Sequence, residues 1–97
     1  MAEFVNPFSG MVPDRKLTDR ELARAIRMAI AAEQEAVHMY EALADASDNA
    51  LAAKVLQDIA DEERVHAGEF QELLRMLLPD EQPLLEKGAA EVRELAS

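Results

Sequence analysis

The chain has 97 residues, 49% of them apolar, and its 20 acidic side chains against 10 basic ones give a net charge of −10. That charge argues against nucleic acid and anionic membranes as partners, and the lack of cysteine excludes disulfides, thiolate metal sites, a rubredoxin-type iron centre and a cysteine nucleophile. With three Phe, one Tyr and no Trp, and with Ala and Leu abundant, it reads as one small all-α domain, of a size that gains from oligomerisation.

Residues 1–17 read as an irregular N-terminal arm. Pro7, Gly10 and Pro13 break any period, while Phe4, Val5, Phe8, Met11 and Val12 are apolar. Such an arm is expected to cover helices of its own or a neighbouring chain, or to dock on another protein. No basic region followed by an apolar core opens the chain, and no apolar run approaches the length of a membrane span. A cytoplasmic protein is therefore expected. Residues 18–97 read as the helical domain. Thr18-Asp19-Arg20-Glu21 is a capping box, with Leu17 placed for the hydrophobic staple. Leu22, Ile26, Ala29, Ile30, Val37 and Ala44 recur at helical spacing and predict a first helix from Thr18 to about Asp45, roughly 40 Å long. Ser47-Asp48-Asn49 predicts a tight turn, with Ser47 or Asp48 capping the next helix. The second helix is expected from about Asn49 to Leu78, where Pro79 stops it, with a stripe of Leu56, Ile59, Phe70, Leu73 and Leu77. A second turn over Asp80–Pro83 leads to a third helix from about Pro83 to Leu95, with Gly88 as its weak point. Two helices of matched length on a short turn predict an antiparallel two-helix hairpin, followed by a shorter C-terminal helix.

The stripes are not purely apolar. Continuing Ile26 and Ile30 along the first helix leads to Glu33, Val37 and Tyr40, and continuing Leu56 and Ile59 along the second leads to Glu63, His66 and Phe70. A carboxylate isolated on a buried face costs several kcal/mol or takes up a proton. Both helices carry these groups near their midpoints, so the hairpin brings them to one level, and the i, i+3 spacing of Glu63 and His66 puts both on one face. A carboxylate-bridged two-metal site in a four-helix bundle takes one Glu from each of two helices and a Glu-x-x-His from each of the other two. This chain supplies half of that set. Pairing two hairpins about a two-fold axis completes the bundle and buries the stripes. Four carboxylates and two imidazoles suit iron, with manganese as the alternative. On this reading Glu63 bridges the metals, Glu33 and His66 are terminal ligands, and Tyr40, two turns beyond Glu33, hydrogen-bonds a ligand carboxylate. Glu-x-x-His alone is a weak signal: Glu35-Ala36-Val37-His38 is a second instance. Glu35 lies about 200° around the helix from Glu33 and is expected on a solvated face, or as a secondary metal contact. The competing structural reading pairs Glu33 with a buried base and makes His66 a hydrogen-bonded core histidine.

Glu33-Gln-Glu-Ala-Val-His-Met-Tyr40, with Asp61-Glu-Glu-Arg-Val-His66-Ala following, resembles the encapsulated ferritins, a rubrerythrin-related branch of the ferritin-like superfamily. The resemblance covers about residues 18–96, including Glu91-Val-Arg-Glu-Leu95. It implies a ferroxidase centre formed only when two chains pair, with two irons per dimer, and dimers assembled into an annular decamer. It also implies work in the lumen of an encapsulin nanocompartment whose shell holds the mineral. Carried over by motif, Glu33, Glu63 and His66 are ligands, Tyr40 is their hydrogen-bonding neighbour, and Glu35 matches an acidic residue associated with metal entry. The sequence departs from some relatives at Ala32, where they have a further acidic entry residue, at His38 in place of Asp and at Met39 in place of Trp. No clear shell-targeting tail follows the third helix, so attachment to the shell by fusion, or docking by the Phe4–Val12 arm, is expected instead.

The reading favoured is therefore a ferroxidase that oxidises Fe(II) to Fe(III) and delivers it for storage. The alternatives are a rubrerythrin-like peroxidase or dimanganese protein, which the missing cysteines disfavour, and a non-catalytic helical adaptor whose acidic residues solvate it.

Overall fold

The computed structural model describes residues 14–97. The apolar residues of the predicted arm, Phe4 to Val12, lie outside the described residues. Thr18 accepts from the Glu21 amide at 3.1 Å, and the Glu21 carboxylate accepts from the Thr18 amide at 3.0 Å. This capping box opens helix α1, Asp19–Ala46. Helix α2 spans Ala50–Leu77 and equals α1 at 28 residues. Its cap is Asn49, whose Oδ1 accepts from the Ala52 amide at 2.9 Å. Ser47 and Asp48, the expected caps, sit too early: Ser47 Oγ instead accepts from the Asn49 amide at 3.1 Å and shapes the turn. The turn expected over Asp80–Pro83 is a single 3₁₀ turn over Pro79–Glu81 that runs straight into helix α3, Gln82–Ala96. Gly88 does not interrupt α3.

α1 and α2 pack along their length as an antiparallel hairpin. The seam residues follow a heptad alternation of three and four: Ala23, Ile26, Ile30, Glu33, Val37, Tyr40 and Ala44 on α1, and Leu56, Ala60, Glu63, Ala67, Phe70, Leu74 and Leu77 on α2, each buried or half-buried. That 3.5-residue period is the signature of left-handed, coiled-coil-like packing. The sequence-read stripe on α2 is offset from this seam. Its centre is Ala60 and Ala67, not His66 and Leu73, which are exposed. Alanines mark the closest approach of the helices, and a periodicity read from large side chains passes over them. α3 stands off the hairpin with no buried residue, and an ion pair of Arg27 with Glu81 ties the 3₁₀ turn back to α1. The Cα radius of gyration is 17.1 Å, against about 12.5 Å for a compact chain of this length.

Candidate metal centre

Glu33 and Glu63 both occupy seam positions near the middle of their helices, so the packing of α1 on α2 carries their carboxylates toward each other. His66 stands one turn beyond Glu63 on the flank of the seam. One ligand atom from each of the three residues lies within 4.8 Å of the others. His66 Nδ1 is 3.7 Å from Glu63 Oε2 and 3.8 Å from Glu33 Oε2. These distances are too long for hydrogen bonds. They fall inside the ~4.4 Å that two donors sharing one divalent ion can span, with bonds of ~2.2 Å. The Glu33 and Glu63 side chains are 20% and 21% exposed, and the His66 side chain is 51% exposed, so the cluster is walled on the hairpin side and open on the other.

Among the described residues, the buried Glu33 Oε2 has no hydrogen-bond partner. A buried, unpartnered carboxylate oxygen is costly, and a cation seated among these donors removes that cost. The donor set therefore fits a metal ion. No Arg or Lys among the described residues pairs with Glu33 or Glu63, and His66, half-exposed rather than in the core, is the base beside them, at 3.8 and 3.7 Å. Arg64, next to Glu63 in the chain, is paired elsewhere: its guanidinium lies 2.7 Å from Glu41 Oε1 and donates to Asp61 Oδ1 at 2.9 Å. That pairing, with Gln57 donating as well, holds the Glu41 carboxyl below the usual carboxylate range.

Tyr40 is half-buried in the seam, and among the described residues its hydroxyl makes no hydrogen bond. Glu35 and His38 are exposed and do not join the cluster. The Gln57–Asp61–Arg64 ladder that reaches Glu41 was not singled out from the sequence. Its i, i+4 and i, i+3 spacings on α2 are readable, but nothing in the periodicity points to Glu41 on the other helix.

The sequence profile of the family described as Rubrerythrin matches residues 24–95. The chain is 51% identical over 76 residues to the encapsulin nanocompartment cargo protein EncC of Myxococcus xanthus, covering 78% of this chain and 58% of that protein. It is 42% identical over 82 residues to the ferritin-like-encapsulin shell fusion protein of Pyrococcus furiosus, covering 84% of this chain and 24% of that one. It thus spans little more than half of the first relative and about a quarter of the second. The crystal structure of the encapsulated ferritin domain from Pyrococcus furiosus matches with a TM-score of 0.83 and 38% identity, covering 97% of this chain and 95% of that one. On the profile match the chain belongs to the rubrerythrin family, with the ferritin-like fold of that encapsulated ferritin domain.

Proposed function

We propose that this chain is a ferroxidase whose centre is completed by a second copy, and that it works with an encapsulin shell. The observation that carries the reading is the orphaned Glu33 Oε2 beside Glu63 and His66. One chain offers two carboxylates and one imidazole, open on one side. A second chain brought to that side by two-fold symmetry doubles the set, and its four carboxylates balance the charge of two divalent cations. Glu33, Glu63 and His66 of each chain would hold the two ions, Glu63 as the shared carboxylate and Glu33 and His66 as terminal ligands, and Tyr40 would donate to a ligand carboxylate of the pair. Glu35, on the outer face, is the acidic residue at the approach. Fe(II) is the substrate: the chemistry is loss of one electron from each of two bound ions to dioxygen or peroxide. Oxygen-rich ligation with one nitrogen per metal suits iron, and manganese next. The minimum unit is a homodimer, with an annular decamer as the larger assembly. One relative is named as cargo and the other as a shell fusion, so the lumen of an encapsulin compartment is the proposed location, reached in trans or by fusion.

The test is aerobic Fe(II) oxidation, followed at the ferric-oxo absorbance, for the parent beside a Glu63→Ala, His66→Ala variant. Fast oxidation by the parent that falls to the buffer rate in the variant is expected. Equal rates would remove the ferroxidase reading, and tight Mn(II) binding without Fe(II) oxidation would replace it with a dimanganese protein.

A further inference from the structure

We propose that Arg64 is a positioning residue: with Glu41, Gln57 and Asp61 it latches α2 to α1 at the register that holds Glu33 opposite Glu63 and His66. The inference rests on those three residues being the ligand set. Arg64 follows Glu63 directly, about 100° around the helix, and so leaves the seam on its flank. One arm of its guanidinium reaches Glu41 Oε1 at 2.7 Å and the other donates to Asp61 Oδ1 at 2.9 Å. Gln57 Nε2 donates to Asp61 Oδ1 at 3.1 Å and to Glu41 Oε2 at 3.3 Å. The four side chains close a ring. In it a single α1 carboxylate is held through both oxygens by two α2 residues, Gln57 and Arg64, about 10 Å apart along their helix. A two-point grip resists sliding as well as rotation.

On α2 the seam beside the site offers little to set that register, while Ile30 and Val37 flank Glu33 on α1. Glu63 is flanked on α2 by Ala60 and Ala67, both buried, and small side chains leave shallow knobs for the facing helix to lock onto. Glu33 and Glu63 themselves are like charges facing one another. A slide of one residue, ~1.5 Å along the axis, would leave the 3.7 Å between His66 and Glu63, both on α2, as it is, but would displace Glu33 Oε2 from its place 3.8 Å from His66 Nδ1 across the helices. Half-exposed ion pairs add little to stability, so the latch should act on site geometry while leaving the fold intact.

Co(II) serves as probe, because its visible bands report coordination geometry. Arg64→Met, Glu41→Gln and the double variant are compared with the parent, with Arg75→Met as control, since Arg75 pairs with Glu72 inside α2 alone. Each single variant is expected to bind Co(II) ~10-fold more weakly, the scale seen when supporting partners of a metal site are lost. The bands of the bound ion should shift. The double variant should be no worse than the weaker single, the control should match the parent, and helix content by circular dichroism should be unchanged in Glu41→Gln, which is nearly isosteric. Parent affinity and parent bands in both singles would overturn the latch, as would losses that multiply in the double variant. Equal Co(II) binding by the parent and Glu63→Ala would overturn the ligand set, and the positioning role with it. Loss confined to Glu63→Ala would leave the ligand set standing and remove Arg64 alone.

Discussion

Glu33 carries an electrostatic cost that a bound cation would relieve. Its Oε2 is buried without a donor among the described residues, and the Glu63 carboxylate is its neighbour. Replacing it by Gln removes one of two facing charges at nearly constant volume. Without metal, Glu33→Gln should therefore be as stable as the parent or more so, by ~1 kcal/mol at most. With metal the order reverses. A ligand at a hundred times its dissociation constant stabilises the folded state by about 2.7 kcal/mol, and the variant should lose most of that gain. Thermal unfolding with and without Mn(II) checks both halves, and a variant that keeps the full gain would exclude Glu33 as a ligand. That these side chains would meet was legible in the sequence from the helical spacing of Glu33, Glu63 and His66, although His66 lies on the exposed flank of the seam and not within it. The Arg64 ring was not: long flexible side chains meet across helices at points that no spacing rule encodes.

Within α1, the first turn is held by Thr18, Glu21 and Arg15 together. Arg15 grips the Glu21 carboxylate through both oxygens, at 2.7 and 2.6 Å. With the Thr18 amide as a further donor, this pulls the carboxyl down to about 2. A depressed carboxyl contributes stability above the ordinary carboxylate range near pH 4.3, and that contribution disappears as pH falls from there through about 2. An NMR carbon titration should show Glu21 protonating far below the other exposed glutamates, and an ordinary midpoint would mean the Arg15 fork does not persist in solution. Thr18→Ala should cost about 1 kcal/mol. In the seam, Ala60 has no exposed surface. Ala60→Leu should destabilise by ~1–3 kcal/mol through overpacking and weaken metal binding by forcing the helices apart beside Glu63. Unchanged stability by denaturant titration would show that the hairpin is not closed at this level. The helix boundaries and the capping box were readable from local chemistry. The cap of α2 was misplaced by one or two residues because Ser47, Asp48 and Asn49 are all competent caps and only backbone geometry chooses among them.

The described residues of the single chain leave many large apolar side chains in water. It exposes 7908 Å², against roughly 5500 Å² for a compact monomer of its mass. Leu84, Leu85, Val92 and Leu95 on α3, Leu51, Val55, Val65, Leu73 and Met76 on α2, and Met39 and Leu43 on α1 are all exposed. The stance of α3 was illegible in the sequence for the same reason: its amphipathic pattern says that a face will be covered, and nothing among the described residues covers it. If a second copy does, folding and association are one equilibrium, and the unfolding midpoint must rise with protein concentration. A hundredfold increase adds about 2.7 kcal/mol, which for a dimer of this size moves the midpoint by roughly 5–10 °C. Glu63→Ala should keep that concentration dependence, since apolar burial supplies the association, while losing the extra rise that Mn(II) gives the parent. A midpoint independent of concentration would mean the hairpin stands alone. A centre shared between chains would then be impossible, and the acidic cluster would have to bind its ion with the three ligands of a single chain.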